Sequence, residues 1–270
     1  MTRKILGTLL LSGLIVLNLS GCSSRQPGNP ASVNPSTAPT ITKTAMFFPS
    51  GVPVLMYHSV AEEKGNDAVI SPALFAEQMA YLHSQGYNPV TLDQLYDYLS
   101  DQKGLPPKPV VITFDDGYRD TYEIVMPILK QYGFKSTLFV LTADSERRLT
   151  WQELREMKAA GMAVASHSNT HRNLAGMTVT AQTEEIIRSK ELLDRNLSQD
   201  TRFFSYPNGS FSKETIGLLR KTGFKLAVTI DPGWVNPGDD QFVLRRVWSG
   251  NGVDIDRFKE RLTRKDYPII

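Results

Sequence analysis

One cysteine, Cys22, occurs in the 270 residues, so no disulfide can form within the chain. Charge of one sign is also missing: the formal net charge is +2, and residues 1–21, which hold Arg3 and Lys4 and no acid, account for all of it. A neutral remainder gives no electrostatic footing for nucleic acid. No repeat of fixed period is present, which excludes solenoid and propeller arrays. Histidine is scarce, with only His58, His83, His167 and His171. A zincin-type protease is disfavoured because the His167–His171 pair encloses Ser168 where that motif needs glutamate.

What is present begins with an apolar run, Ile5 to Leu19, behind two basic residues. It is short for a membrane span and reads as a secretory signal peptide. The run closes in Leu19-Ser-Gly-Cys22, which resembles the lipobox of bacterial lipoproteins. That resemblance implies a lipid on Cys22 after removal of residues 1–21, an exported protein and a membrane anchor. Residues 22–48 are rich in Ser, Pro, Asn, Thr and Ala and read as a disordered tether, roughly 25–30 Å in mean span. The folded domain is then expected over 49–270.

Within that domain, short apolar strands alternate with helical stripes. Strands are expected at 52–57, 110–114, 137–141, 162–166, 203–206, 226–230 and 242–247. Helices are expected after Ser71-Pro72, after Thr91, from Gly117 to Tyr132 with Ile124, Ile128 and Leu129 inward, after Thr150, over 180–197, after Ser212 and over 255–262. Pro127 predicts a kink or a late start, and the charges of the 180–197 helix read as a solvated face. Alternation of this kind predicts an α/β fold with a parallel sheet, as a barrel or doubly wound.

The chemistry-bearing stretch is Val110-Val-Ile-Thr-Phe-Asp-Asp-Gly-Tyr118. A buried strand delivers two adjacent carboxylates into a turn, at the strand end where α/β proteins place their sites. One carboxylate could hold a cation while the other handles a proton; an Asx turn closing a loop accounts for the same residues. His167-Ser-Asn-Thr-His171 follows another strand, and histidines four apart can converge on one metal ion, or stand solvated in a surface loop. His58 ends the first strand, while His83 lies on a helix surface.

Together these motifs resemble the polysaccharide deacetylases of the NodB-homology family, carbohydrate esterase family four. Thr113-Phe-Asp-Asp-Gly117 matches the first motif and His167-Ser-Asn-Thr-His171 the second. The resemblance implies a distorted barrel of seven or eight βα units. It implies one divalent metal on Asp116, His167 and His171, zinc favoured over cobalt, nickel, manganese or iron, with Asp115 as catalytic base. The third motif departs from the family: Ser205-Tyr-Pro-Asn-Gly209 lacks its arginine, for which Arg246 is the candidate replacement, while Tyr206, Pro207 and Asn208 would lie at the substrate or oxyanion site. No histidine follows His171, and Tyr57-His58 looks like the Tyr-His pair of the poly-N-acetylglucosamine deacetylase branch, which makes His58 the general acid.

The implied activity is removal of N-acetyl groups from a cell-surface or extracellular polysaccharide containing N-acetylglucosamine. Peptidoglycan, chitin oligomers and O-acetylated xylan stand as alternative substrates, and a non-catalytic glycan-binding lipoprotein as an alternative function. Tyr57, Tyr206, Trp234 and Trp248 are candidate flat faces for sugar rings or members of the core. A non-haem iron oxygenase would use a similar ligand set but on an antiparallel scaffold. No protein partner is implied.

Overall fold

A strand buried on both faces reads as a continuous apolar run, and its side chains still alternate by face. In the computed structural model, which describes residues 47–268 except 64 and 67, this alternation builds a barrel. Its strands are β1 (Val54–Tyr57), β2 (Pro109–Phe114), β3 (Ser136–Val140), β4 (Met162–Ser166), β5 (Phe203–Ser205), β6 (Leu226–Pro232) and β7 (Leu244–Trp248). Each pairs in parallel with the next in sequence, and β7 returns to β1, closing the ring. Val54, Val111, Phe139, Ala165, Phe203, Val228 and Leu244 pack in one cluster. The alternate residues Leu55, Tyr57, Ile112, Phe114, Leu138 and Val164 pack in another with helix residues such as Phe75, Met79, Leu129, Leu154 and Leu193. The doubly wound alternative is excluded by the β7–β1 pairing.

Seven α-helices lie among the described residues: α1 (Pro72–Ser84), α2 (Leu92–Asp101), α3 (Met126–Gln131), α4 (Trp151–Ala159), α5 (Val179–Leu197), α6 (Lys213–Lys221) and α7 (Ile255–Thr263). Local chemistry starts several of them. Thr91 with Gln94, Thr150 with Glu153 and Ser212 with Thr215 form reciprocal capping boxes, satisfying first-turn donors that would otherwise be orphaned.

The segment after Gly117 differs from the expected single helix. Thr121–Val125 is a π-helical turn, with Met126 N–H donating to Thr121 C=O, and α3 starts late with Pro127 near its N-terminus. Pro127 has no N–H to extend an upstream ladder, and the wide turn carries the chain past it. The phase changes accordingly: Val125 and Leu129 are buried, whereas Ile124 and Ile128 are only half-buried.

Residues 1–21, Cys22 and the tether up to 46 lie outside the described residues. Phe47, inside the segment read as tether, exchanges two backbone hydrogen bonds of 2.8 Å with Leu105. No helix among the described residues is long and apolar enough to cross a membrane.

Candidate active site

Strand alternation aims the site residues. Two residues beyond an inward-facing position point inward again, so Val54 and Met56 are followed by His58, Val111 and Thr113 by Asp115, Ala165 by His167, and Leu244 by Arg246. All four chemical residues therefore arrive at the carboxyl end of the barrel. His58, Asp115, Asp116, His167 and His171 line one cleft of about 590 Å³ with Met56, Tyr206, Asn208, Ile230 and Trp248 among its walls.

Asp115 and Arg246 are sealed inside, at 1% and 0% exposure. Arg246 Nη1 donates to Asp115 Oδ1 at 2.8 Å and Nη2 to Oδ2 at 2.6 Å, a two-pronged pair. Ser205 Oγ donates to Asp115 Oδ2 at 3.1 Å. The β6–β7 register slips between Leu244 and Arg246, so that Val228 and Pro232 on β6 face them. Within the bulged stretch, Thr229 C=O accepts from Arg246 Nε at 2.8 Å, which fixes the plane of the guanidinium. Burial works to raise the Asp115 carboxyl, but Arg246 and the neighbouring His167 and His58 prevail and hold it well below the usual aspartate range.

Asp116 leaves the strand in the left-handed region at φ 72°, followed by Gly117 at φ 68°. This turn sends its carboxylate away from that of Asp115, toward the two histidines. His171 Nε2 lies 3.3 Å and His167 Nε2 3.4 Å from Asp116 Oδ1. The His167 ring is oriented by Nδ1, 2.8 Å from Ser205 C=O. A carbonyl only accepts, so Nδ1 carries the proton and Nε2 of the neutral ring presents a lone pair. Asp116 Oδ1 is buried without any hydrogen-bond partner.

Three electron-pair donors, one each from Asp116, His167 and His171, thus lie within 4.8 Å of one another, the cluster of metal-ligating type found among the described residues. A divalent cation fits this donor set, with the carbonyl behind His167 serving the orienting role usual for a metal-bound imidazole. Burial lowers the His167 imidazole, but Asp115 and Asp116 outweigh it and the net shift is upward. The same negative field favours a cation in the pocket.

The His167–His171 loop is strained, with Ser168 at φ 70° and His171 at φ 64°. Glu185 on α5 holds it. Its carboxylate accepts from Asn169 N at 3.1 Å, from Thr170 N at 2.8 Å and from Thr170 Oγ1. Glu185 is buried, so the charged face of α5 is not wholly solvated as its sequence suggests. Nothing in the helical period marks Glu185 out. Ser205 is likewise a site residue that sequence reasoning passed over.

His58 is half-buried, and its Nδ1 is buried with no hydrogen-bond partner. Burial lowers its imidazole from the ordinary value; Asp115 and Asp116 pull upward without overcoming it. Desolvation prevails over both carboxylates, so the residue to which the resemblance gives the general-acid role is an imidazole made harder to protonate. Trp248 packs beside it at 5.4 Å between ring centroids.

The third-motif residues divide around the cleft. Tyr206 lines the cleft, but its hydroxyl donates to Phe242 C=O at 2.9 Å and its ring stacks on Phe211. Pro207 is buried and does not line the cleft, whereas Asn208 stands exposed at its rim at φ 53°. Tyr57 is a core residue with its hydroxyl on Gln78, and Trp234 donates to Arg261 C=O, so Trp248 is the indole in the cleft. His83 sits on the surface of α1, as its position in the sequence suggests.

A closed parallel barrel with this donor set at its mouth is the architecture of the polysaccharide deacetylases, and the chain belongs to that family. The family's model, described as polysaccharide deacetylase, matches residues 102–227. YxkH of Bacillus subtilis (strain 168), provisionally named a polysaccharide deacetylase, is 35% identical over 212 residues, 78% of this chain and 75% of that protein. The poly-beta-1,6-N-acetyl-D-glucosamine N-deacetylase of Escherichia coli (strain K12) is 25% identical across 79% of this chain; the match spans 38% of that protein's length. Among solved structures, the Streptococcus pyogenes deacetylase PplD in complex with acetate superposes with a TM-score of 0.76 at 28% identity, covering 80% of this chain and 100% of that one.

Proposed function

We propose that this chain is a metal-dependent N-deacetylase of an exported polysaccharide containing N-acetylglucosamine, with a poly-β-1,6-linked polymer favoured. The observation that carries the reading is the convergence of His58, Asp115, Asp116, His167 and His171 on one cleft. The named activity of the E. coli relative supports the choice of polymer. Peptidoglycan, chitin oligomers and O-acetylated xylan are the competing substrates.

In this reading Asp116, His167 and His171 hold one divalent cation, zinc favoured. When bound, such a cation polarises a carbonyl oxygen and lowers the pKa of a nearby water. Asp115, ionised under its arginine, is positioned to take the proton of the attacking water, and Arg246 keeps the carboxylate aimed. Asn208, at the rim, is the third-motif residue placed to face the acetamido group. His58 delivers a proton to the departing nitrogen. Because burial lowers the His58 imidazole, the proton it gives to nitrogen is taken up from solvent in the same cycle, and the proton that Asp115 takes from water is returned to solvent.

The lowered His58 favours a second assignment, in which His58 itself accepts the proton from water and returns it to nitrogen, while Asp115 supplies only field and orientation. The two separate on leaving-group dependence. An acid-only His58 matters less for an ester with a good leaving group; a His58 that also acts as base matters equally for ester and amide.

The chain is further proposed to be lipidated at Cys22 and held outside the cytoplasmic membrane by its 22–48 segment. The test of function is acetate release, followed across a panel of N-acetylated glycans by mass spectrometry of the products. A non-catalytic glycan binder releases none.

A further inference from the structure

His58 has no hydrogen bond at Nδ1 to fix its ring. Strand β1 brings it to the cleft, and beyond that its ring is set by Trp248 and by the backbone that follows it. That backbone, Ser59-Val60, forms a short two-residue ladder with Val69 and Ile70, with Ser59 N–H donating to Ala68 C=O. It is also tied to the loop beyond Asp116. Ser59 Oγ donates to Asp120 Oδ2 at 2.5 Å, and Val60 N–H donates to Asp120 Oδ1 at 3.1 Å. Both are hydrogen bonds to a carboxylate, the stronger kind. Asp120 lies just past Gly117, where the chain enters the π-helical turn, and its side chain makes no capping bond there. Its two oxygens serve the His58 segment instead.

We propose that Asp120 is a positioning residue that sets His58 in register with the Asp115 and Asp116 carboxylates. One rigid turn carries both carboxylates and Asp120, so the distance across the cleft is fixed by a side chain that touches neither substrate nor metal. Burial raises the Asp120 carboxyl on balance, against the Ser59 and Val60 donors, which favour its ionised form. The proposal rests on the role given to His58 above.

The test combines Asp120→Ala, Asp120→Asn and His58→Ala in the full chain. Asp120→Ala should lower kcat on an N-acetylated oligomer by up to about 10²-fold, the cost of a misplacement near 1 Å. Metal content should be unchanged, and the ratio of amide to activated-ester loss should match that of His58→Ala. Asp120→Asn, which keeps one acceptor, should fall between. In a His58→Ala background, Asp120→Ala should cost nothing further, since the two act as a unit. Additive losses, or an amide-to-ester ratio that differs from that of His58→Ala, would overturn the proposal. An independent readout is the His58 ring-proton resonance, displaced by the Trp248 ring current. It should move in Asp120→Ala while the His167 and His171 signals stay, and a stationary His58 signal overturns the clamp. If wild type released no acetate while that signal still moved, the clamp would stand and the deacetylase reading would fall.

Discussion

Arg246 and Asp115 meet inside the barrel through two parallel hydrogen bonds of 2.8 and 2.6 Å, both side chains buried and Asp115 reaching only the floor of the cleft. A buried carboxylate of this kind is tolerated only while its partner remains. Arg246→Ala should therefore cost about 3–5 kcal/mol of stability, measured by urea unfolding, because it strands a buried charge. Arg246→Lys should restore part of this, as a point charge cannot reproduce the fork.

The pH dependence follows from the same pair. The folded Asp115 value lies below the unfolded one of about 3.9, so its contribution is full above roughly pH 5 and lost as pH falls toward the folded value. Urea midpoints of wild type should drop between pH 6 and pH 3 by more than those of Asp115→Asn. Equal drops would show that Asp115 carries no such linkage.

Much of this was legible in sequence because strand parity and motif spacing are local. Val111, Thr113 and Asp115 alternate with Ile112 and Phe114, and that pattern alone aims the acid inward. The Arg246–Asp115 pair was only a candidate, since it depends on a β6 bulge that composition does not announce. Glu185 and Asp120 were invisible for a different reason. Each looks like an ordinary surface charge until the barrel closes and brings Thr170 or Ser59 to it. Tyr206 lines the cleft with its hydroxyl bonded to Phe242 C=O, a partner that its motif position does not reveal.

Metal content separates the two aspartates. His171→Ala and Asp116→Ala should lose bound metal by elemental analysis, whereas Asp115→Asn should retain it, and all three should lose deacetylase activity. Loss of metal in the Asp115 variant alone would reverse the two roles.

For His58→Ala the expected outcome is a metal-replete protein slowed 10²–10⁴-fold on amide substrates, about 3–5 kcal/mol of barrier. A smaller loss on an activated ester identifies a proton donor to the leaving nitrogen. Equal losses identify the dual role. With its imidazole lowered by burial, a dual-role His58, active as the neutral ring, should let kcat/KM fall only as pH drops below the ordinary histidine range.

Cys22→Ala should move the protein from the membrane fraction to a soluble or precursor form. Unchanged retention of a correctly sized mature chain in the membrane fraction would count against acylation.

The most direct measurement is acetate release from poly-β-1,6-N-acetylglucosamine by the protein reconstituted with zinc, alongside the chelator-treated protein and Asp116→Ala. Acetate should appear with an equal yield of free amines in the reconstituted sample alone. A zinc-loaded protein that binds the glycan yet releases no acetate from this or any other N-acetylated polymer would contradict the account.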